Sequence, residues 1–305
     1  MSLRRVEAKH AAAALNDSDK ICATCMSMRV VIVEGREWAQ AKPCPDCASS
    51  CSTCRDTGYV FERNAWGSVD SQFCPTCQPR RTKIALYNQA QIPRRYASTK
   101  FSDFKHDHDD SVRRVYMRFQ SFLNTFKPGD RGIGLSGGVG NGKTLIMALF
   151  LRQLTITREI PCRFIEFSHL LSDIRAGYDA GRSEAEIIAH LVDVPILVID
   201  ELGKALKTEW QLAILDELIS RRYNRNVSTF FTTNFPFTAP NAGSHSLARD
   251  DFRVTSLEER VGARIYSRLC EMAEFHTFAT APDMRRNLGD ARVASDAARG
   301  PLNRR

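Results

Sequence analysis

Gly132-Ile-Gly-Leu-Ser-Gly-Gly-Val-Gly-Asn-Gly-Lys-Thr144 is the stretch from which a fold follows. It contains Gly137-x4-Gly142-Lys143-Thr144, the pattern G-x-x-x-x-G-K-[ST] of a loop that cradles phosphate. Glycines let the backbone turn tightly enough for successive N–H groups to converge on an anion. Lys143 adds a point charge for the β- and γ-phosphates, and the Thr144 hydroxyl can ligate Mg2+. Gly137, Gly138, Gly140, Asn141, Gly142, Lys143, Thr144 and Leu145 are therefore the expected nucleotide contacts. A Gly-rich surface turn would lack the flanks seen here. Ile133-Gly-Leu135 reads as a short buried strand, and Leu145-Ile-Met-Ala-Leu-Phe-Leu151 as an apolar helix. The expected ligand is a nucleoside triphosphate, with ATP and Mg2+ as cofactors.

Beyond the loop, strand and helix patterns alternate, the rhythm of a mostly parallel α/β sheet covered on both faces. Cys162–Glu166 reads as a strand, Ser168–Ile174 and Glu184–Leu191 as helices, and Val194–Glu201 as a buried strand ending in two acids. Trp210–Asn224 reads as a long helix, and Ser228–Asn234 as a strand. Ligands of such sheets sit beyond the carboxyl ends of strands. Asp200 is thus placed to hold the Mg2+ shell with Thr144, Glu201 to polarise the attacking water, and Asn234 to sense the γ-phosphate. Two acids capping a strand, or an ordinary turn asparagine, are the bland alternatives. Ser256–Cys270 reads as one helix with Arg260, Arg264 and Arg268 on one face. No arginine falls obviously within the site itself. Arg268, or Arg264 one turn earlier, is the expected catalytic arginine, delivered to a neighbouring subunit; a basic face that only meets solvent or DNA is the alternative.

Eight of the ten cysteines form four C-x-x-C pairs: Cys22/Cys25, Cys44/Cys47, Cys51/Cys54 and Cys74/Cys77. Eighteen residues separate the first two pairs and nineteen the last two, and each interval reads as strand, turn, strand. Paired thiolates on a hairpin are the layout of a zinc ribbon, so two Zn2+ are expected. Four regular pairs exceed what a redox dithiol needs; an iron–sulfur cluster is a further possibility. Sequential pairing fits the equal intervals. Nested pairing stays open, because Cys51-x2-Cys54-Arg-Asp-Thr-Gly58 resembles the cysteine-rich repeats of DnaJ-type chaperones. Arginines and lysines surround these cysteines, with Trp38, Tyr59, Phe61 and Trp66 interleaved. That mixture suits single-stranded nucleic acid, unless the rings fill a small core.

The net charge of +8 points toward a polyanionic partner. No apolar run approaches the ~20 residues that span a bilayer, and no signal peptide is evident; a cytoplasmic protein with no membrane partner is expected. The reading divides the chain into an arm at 1–20, a zinc-binding domain at 21–80, a linker at 81–110, an ATPase domain at 111–280 and a disordered basic tail at 281–305. Within the linker, Lys105–Asp110 reads as a solvated charge run ending in a cap for the helix Val112–Phe126. A turn-rich loop is expected over 236–255.

Together these residues resemble the AAA+ ATPases, in the branch of DnaC- and DnaI-type replicative-helicase loaders and IstB-type transposition helpers. The matching stretches are Gly137–Thr144, Ile196–Gly203, Asp216–Asn224, Thr232–Asn234 and Gly262–Leu269, with Ile92–Tyr96 and Phe101–Phe104 on the approach. The resemblance covers residues 90–280. It implies a P-loop AAA+ domain with a reduced or absent helical lid, preceded here by the zinc-ribbon-like domain. It also implies ATP hydrolysis, an arginine finger at Arg268, and a helical segment at Ser168–Leu191 that in relatives helps line a single-stranded DNA path. The expected activity is that of a helicase loader that binds single-stranded DNA, forms a homo-oligomer with ATP, and has a replicative helicase as partner. A transposition helper working with a transposase on duplex DNA, and a protein-only signalling or defence ATPase, are the alternatives.

Overall fold

The computed structural model describes residues 21–107, 109–238 and 255–278. Two antiparallel hairpins come first. β1 (Val30–Glu34) pairs with β2 (Ala39–Pro43), and β3 (Tyr59–Arg63) with β4 (Val69–Phe73), each filling the interval between two C-x-x-C pairs. Their surroundings differ. Val30, Ala39 and Ala41 of the first hairpin are buried in the main core beside Tyr87 and Ala90 of α1 (Gln78–Ala90). In the second hairpin every strand residue except Val60 is exposed.

The stretch 81–110, read from sequence as a linker, holds most of α1 and single 3-10 turns at Arg94–Tyr96 and Phe101–Asp103. Its Tyr87, Ile92, Phe101 and Phe104 are buried in that same core. The first hairpin and the nucleotide-loop body thus share one apolar interior. α2 (Asp110–Thr125) starts just before the expected residue because Asp109 is the cap, its carboxylate accepting from the Ser111 and Val112 N–H groups.

Five strands form the central sheet: β5 (Gly132–Gly137), β6 (Cys162–Glu166), β7 (Ile196–Asp200), β8 (Ser228–Thr233) and β9 (Ala273–Phe278). Their order is β6-β7-β8-β5-β9, and every neighbouring pair is parallel. Residue alternation explains why both faces are covered. Ile196, Val198 and Phe230 join the core made with α1, α2 and α3 (Lys143–Thr157). Leu197, Ile199 and Phe231 join a second core, made with α4 (Phe167–Asp179), α5 (Glu184–Asp193), α6 (Glu209–Asn224) and α8 (Ala263–Met272). Strands buried on both sides read as unbroken apolar runs, which is why β7 was legible.

The expected single helix over Ser256–Cys270 is corrected. α7 (Leu257–Val261) ends at Gly262, whose φ of 80° stops the helix before α8 begins. Arg260 is therefore not on one face with Arg264 and Arg268; its guanidinium donates to the Gly203 carbonyl at 2.9 and 3.0 Å. α8 passes straight into β9, and no helical lid follows among the described residues. The arm at 1–20, nearly all of the 236–255 loop and the tail at 281–305 lie outside the described residues.

Candidate functional site

Gly142 caps α3 at a φ of 91°, a left-handed conformation that glycine adopts without strain. This turn folds the loop back over the helix start and buries Lys143. The Lys143 Nζ donates to the carbonyls of Gly137 (2.8 Å) and Gly138 (2.7 Å) and to Asn141 Oδ1 (3.0 Å). The loop thus supplies an ammonium already aimed into its own hollow, with oxygen partners that phosphate oxygens can replace.

β7 delivers Asp200 to the same place. Its Oδ1 accepts from the Thr144 hydroxyl at 2.9 Å and from the Thr232 hydroxyl on β8 at 2.5 Å. Burial pushes the Asp200 carboxyl above its ordinary range, against those two hydrogen bonds. Thr144 and Asp200 are the oxygen pair that Mg2+ coordination in such sites requires, and their contact places them within reach of one ion. Glu201, the next residue, holds a φ of 55°, rare for a non-glycine residue, and its carboxylate pairs with Lys204. A cleft of about 360 Å³ is lined by Gly140 through Leu145, Glu201, Thr232 and Asn234. Most of the expected nucleotide residues therefore line one hollow.

Arg95, Tyr96 and Thr99 line it too, and the Arg95 guanidinium sits 4.7 Å from the Tyr96 ring centre. The reading that no arginine falls within the site is thereby corrected. The approach segment carried the signal, a Pro-Arg-Arg-Tyr run after a helix, but its distance in sequence hid where it ends up. Arg264 and Arg268 do not line the cleft; both pair with Asp216 of α6, at 3.6 and 3.2 Å.

The cysteines gather as two sequential sets, Cys22/Cys25/Cys44/Cys47 and Cys51/Cys54/Cys74/Cys77, with ligand atoms in each within 4.8 Å of one another. Sulfur separations are 3.9 Å (Cys22–Cys44), 3.3 Å (Cys25–Cys47), 3.8 Å (Cys51–Cys74) and 3.6 Å (Cys54–Cys77). A tetrahedral zinc site with bonds of ~2.3 Å has sulfur–sulfur edges of about 3.8 Å, so both sets fit Zn2+. Backbone N–H groups of Arg29 and Gly58 point at Cys25 and Cys54 sulfurs, at 3.3 and 3.4 Å. Similar N–H groups, from Cys25 and Cys54, draw Cys22 down to about 7 and Cys51 down to about 6, whereas the Cys25 sulfur pushes Cys47, and burial pushes Cys77, up to about 12. Thiolates are the form that binds metal.

The model of the family described as IstB-like ATP binding protein matches residues 77–252, more than half of the chain. The chain belongs to that family. Among curated relatives of this IstB-like protein, the uncharacterized protein YdaV of Escherichia coli (strain K12) is 23% identical over 163 residues, 53% of this chain and 65% of YdaV. The replicative helicase loader DnaC of Buchnera aphidicola subsp. Baizongia pistaciae is 19% identical over 179 residues, 57% of this chain and 72% of that protein. The chain thus spans just under two thirds of YdaV. The crystal structure of the DnaC helicase loader superposes with a TM-score of 0.50 at 25% identity, covering 60% of this chain and 98% of that one. The AAA+ fold of the DnaC and IstB type is therefore the fold of this IstB-like chain.

Proposed function

We propose that this IstB-like protein is an ATP-hydrolysing DNA-replication factor. In this reading it binds single-stranded DNA, oligomerises with ATP, and places a replicative helicase on DNA, letting go after hydrolysis. The observation that carries the hydrolytic part is the Thr144–Asp200 contact of 2.9 Å with Glu201 on the rim of the same cleft. Converging loop N–H groups and Lys143 hold the phosphates; Glu201 turns a water toward the γ-phosphorus; Asn234 contacts that water or the phosphate. Mg2+, held by Thr144 and Asp200, would neutralise charge on the phosphate oxygens. Glu201 also has to leave Lys204 before it can face water. The helicase part is supported by relatives named as replicative helicase loaders.

A pulldown with Glu201→Gln, which should retain ATP without splitting it, tests the reading. Recovery of a replicative helicase by the variant is the expected result, along with ATP hydrolysis by the unaltered chain that single-stranded DNA stimulates. Capture of a transposase with a preference for duplex DNA would replace it with the transposition-helper reading, which the IstB-like family match supports.

A further inference from the structure

The second zinc hairpin has no core of its own. Among the described residues, Val60 is the one apolar side chain packed against its four sulfurs. The antiparallel register sets Tyr59 opposite Phe73, Phe61 opposite Ser71 and Arg63 opposite Val69. Because side chains alternate along a strand, these six share one face. The two acids, Glu62 and Asp70, face each other in the same register and lie on the opposite side. The rings are open to solvent: Tyr59 is 44% exposed, Phe61 65% and Phe73 60%, while Trp66 at the turn reaches 90%. Tyr59 and Phe73 stack at 5.2 Å between ring centres.

We infer that this face of β3–β4 is a stacking platform for single-stranded nucleic acid. Three rings, one guanidinium, one serine hydroxyl and a single aliphatic residue make it, with Trp66 exposed at the adjoining turn. A helix-docking or sheet-docking protein surface would be expected to present more Leu, Ile or Met. Segregation of both acids to the rear removes the groups that would repel a phosphate backbone. Tyr59 and Phe61, alternate residues of β3, stand about 6.7 Å apart, twice the ~3.4 Å rise of one nucleotide, so the two rings match every second base of a stacked strand. Stacking of this kind tolerates any sequence, because every base offers a π-face. The inference deepens the single-strand part of the loader reading and names the surface, which lies on the zinc hairpin and apart from the nucleotide cleft.

Fluorescence anisotropy with a labelled oligo-dT, on the full zinc-loaded chain with a non-hydrolysable ATP analogue, tests it. Phe61→Ala with Trp66→Ala is expected to weaken binding about tenfold per ring, with zinc content unchanged. Glu62→Ala with Asp70→Ala on the rear should hold or tighten affinity. Undiminished binding by the ring variant would overturn the inference while leaving the loader reading intact. A ring variant that keeps oligo-dT but no longer captures the helicase would overturn it in favour of a protein dock. No binding by the unaltered chain would overturn it together with the single-strand part of the loader reading.

Discussion

At 4% exposure Asp200 carries its charge where a carboxylate is disfavoured, and its pKa is raised by that burial. For an acid, a raised folded-state value means that the ionised group opposes folding at neutral pH, and that the opposition fades as pH falls through the folded value. Asn at this position keeps hydrogen bonds to Thr144 and Thr232 and removes the charge. Asp200→Asn should therefore melt higher than the parent without nucleotide, and the gap should narrow on acidification. Addition of ATP with Mg2+ at a hundredfold excess over its dissociation constant stabilises a binding-competent chain by about 2.7 kcal/mol. The parent should show that gain and the variant little of it, in the same thermal melts. A variant that melts lower without nucleotide would mean that the two hydroxyls more than offset the buried charge. Arg222 shows the other side of burial. Among the described residues it has no acidic partner; it donates to the carbonyls of Val194 (2.9 Å) and Ser228 (2.7 Å), and burial draws it down to about 9. An arginine near a helix end reads in sequence as a solvated residue; only the packing of α5, α6 and β8 reveals it as an internal tie.

Elements differ in how they hold together, and the two cysteine-bracketed hairpins make the contrast testable. β1–β2 lends Val30, Ala39 and Ala41 to the main core, whereas β3–β4 relies on its sulfur cluster. Zinc can contribute on the order of 10 kcal/mol to the folding of a small site, so chelation removes nearly all that orders the second hairpin and only part of what orders the first. Hydrogen exchange after EDTA treatment should show prompt loss of protection over Tyr59–Phe73 and slower loss over Val30–Pro43. Equal loss in both would contradict the shared core. The hairpins themselves were legible, because C-x-x-C pairs at matched intervals bracket them; the difference between them was not, since it depends on which strand faces α1. Likewise β7 announced itself as an apolar run ending in two acids, and β8 as a run of threonines and phenylalanines ending at Asn234. β9 did not: Ala-Glu-Phe-His-Thr-Phe278 follows α8 with no turn residue, and its strand state comes from pairing with β5. The cleft was legible wherever its residues end a strand or form the loop. Arg95 and Tyr96 escaped because they reach it from a 3-10 turn far upstream in the chain.

Across the whole molecule, the site within one chain has its phosphate loop, its acids and Asn234, yet the two arginines expected at a γ-phosphate stand elsewhere. Arg268 pairs with Asp216 at 3.2 Å and lies 5.9 Å from the centre of the Tyr223 ring, while Arg264 reaches the other oxygen of Asp216 at 3.6 Å and is largely exposed. Asp216 thereby holds Arg268 at a fixed point on the α6–α8 surface, as a finger presented to a neighbouring subunit would need. In a head-to-tail assembly each site would combine Glu201 of one subunit with Arg268 of the next. Arg268→Ala and Glu201→Gln should each lose most ATP hydrolysis, on the order of 10³-fold for the arginine. Their mixture should not be inactive. When the two variants alternate at random, about a quarter of the interfaces of a head-to-tail assembly join an intact Glu201 to an intact Arg268. Hydrolysis by an equimolar mixture should therefore recover toward that fraction of the parent rate, and recovery should rise with protein concentration as subunits associate. A finger acting within its own chain predicts no recovery at any concentration, because neither variant then contains a whole site.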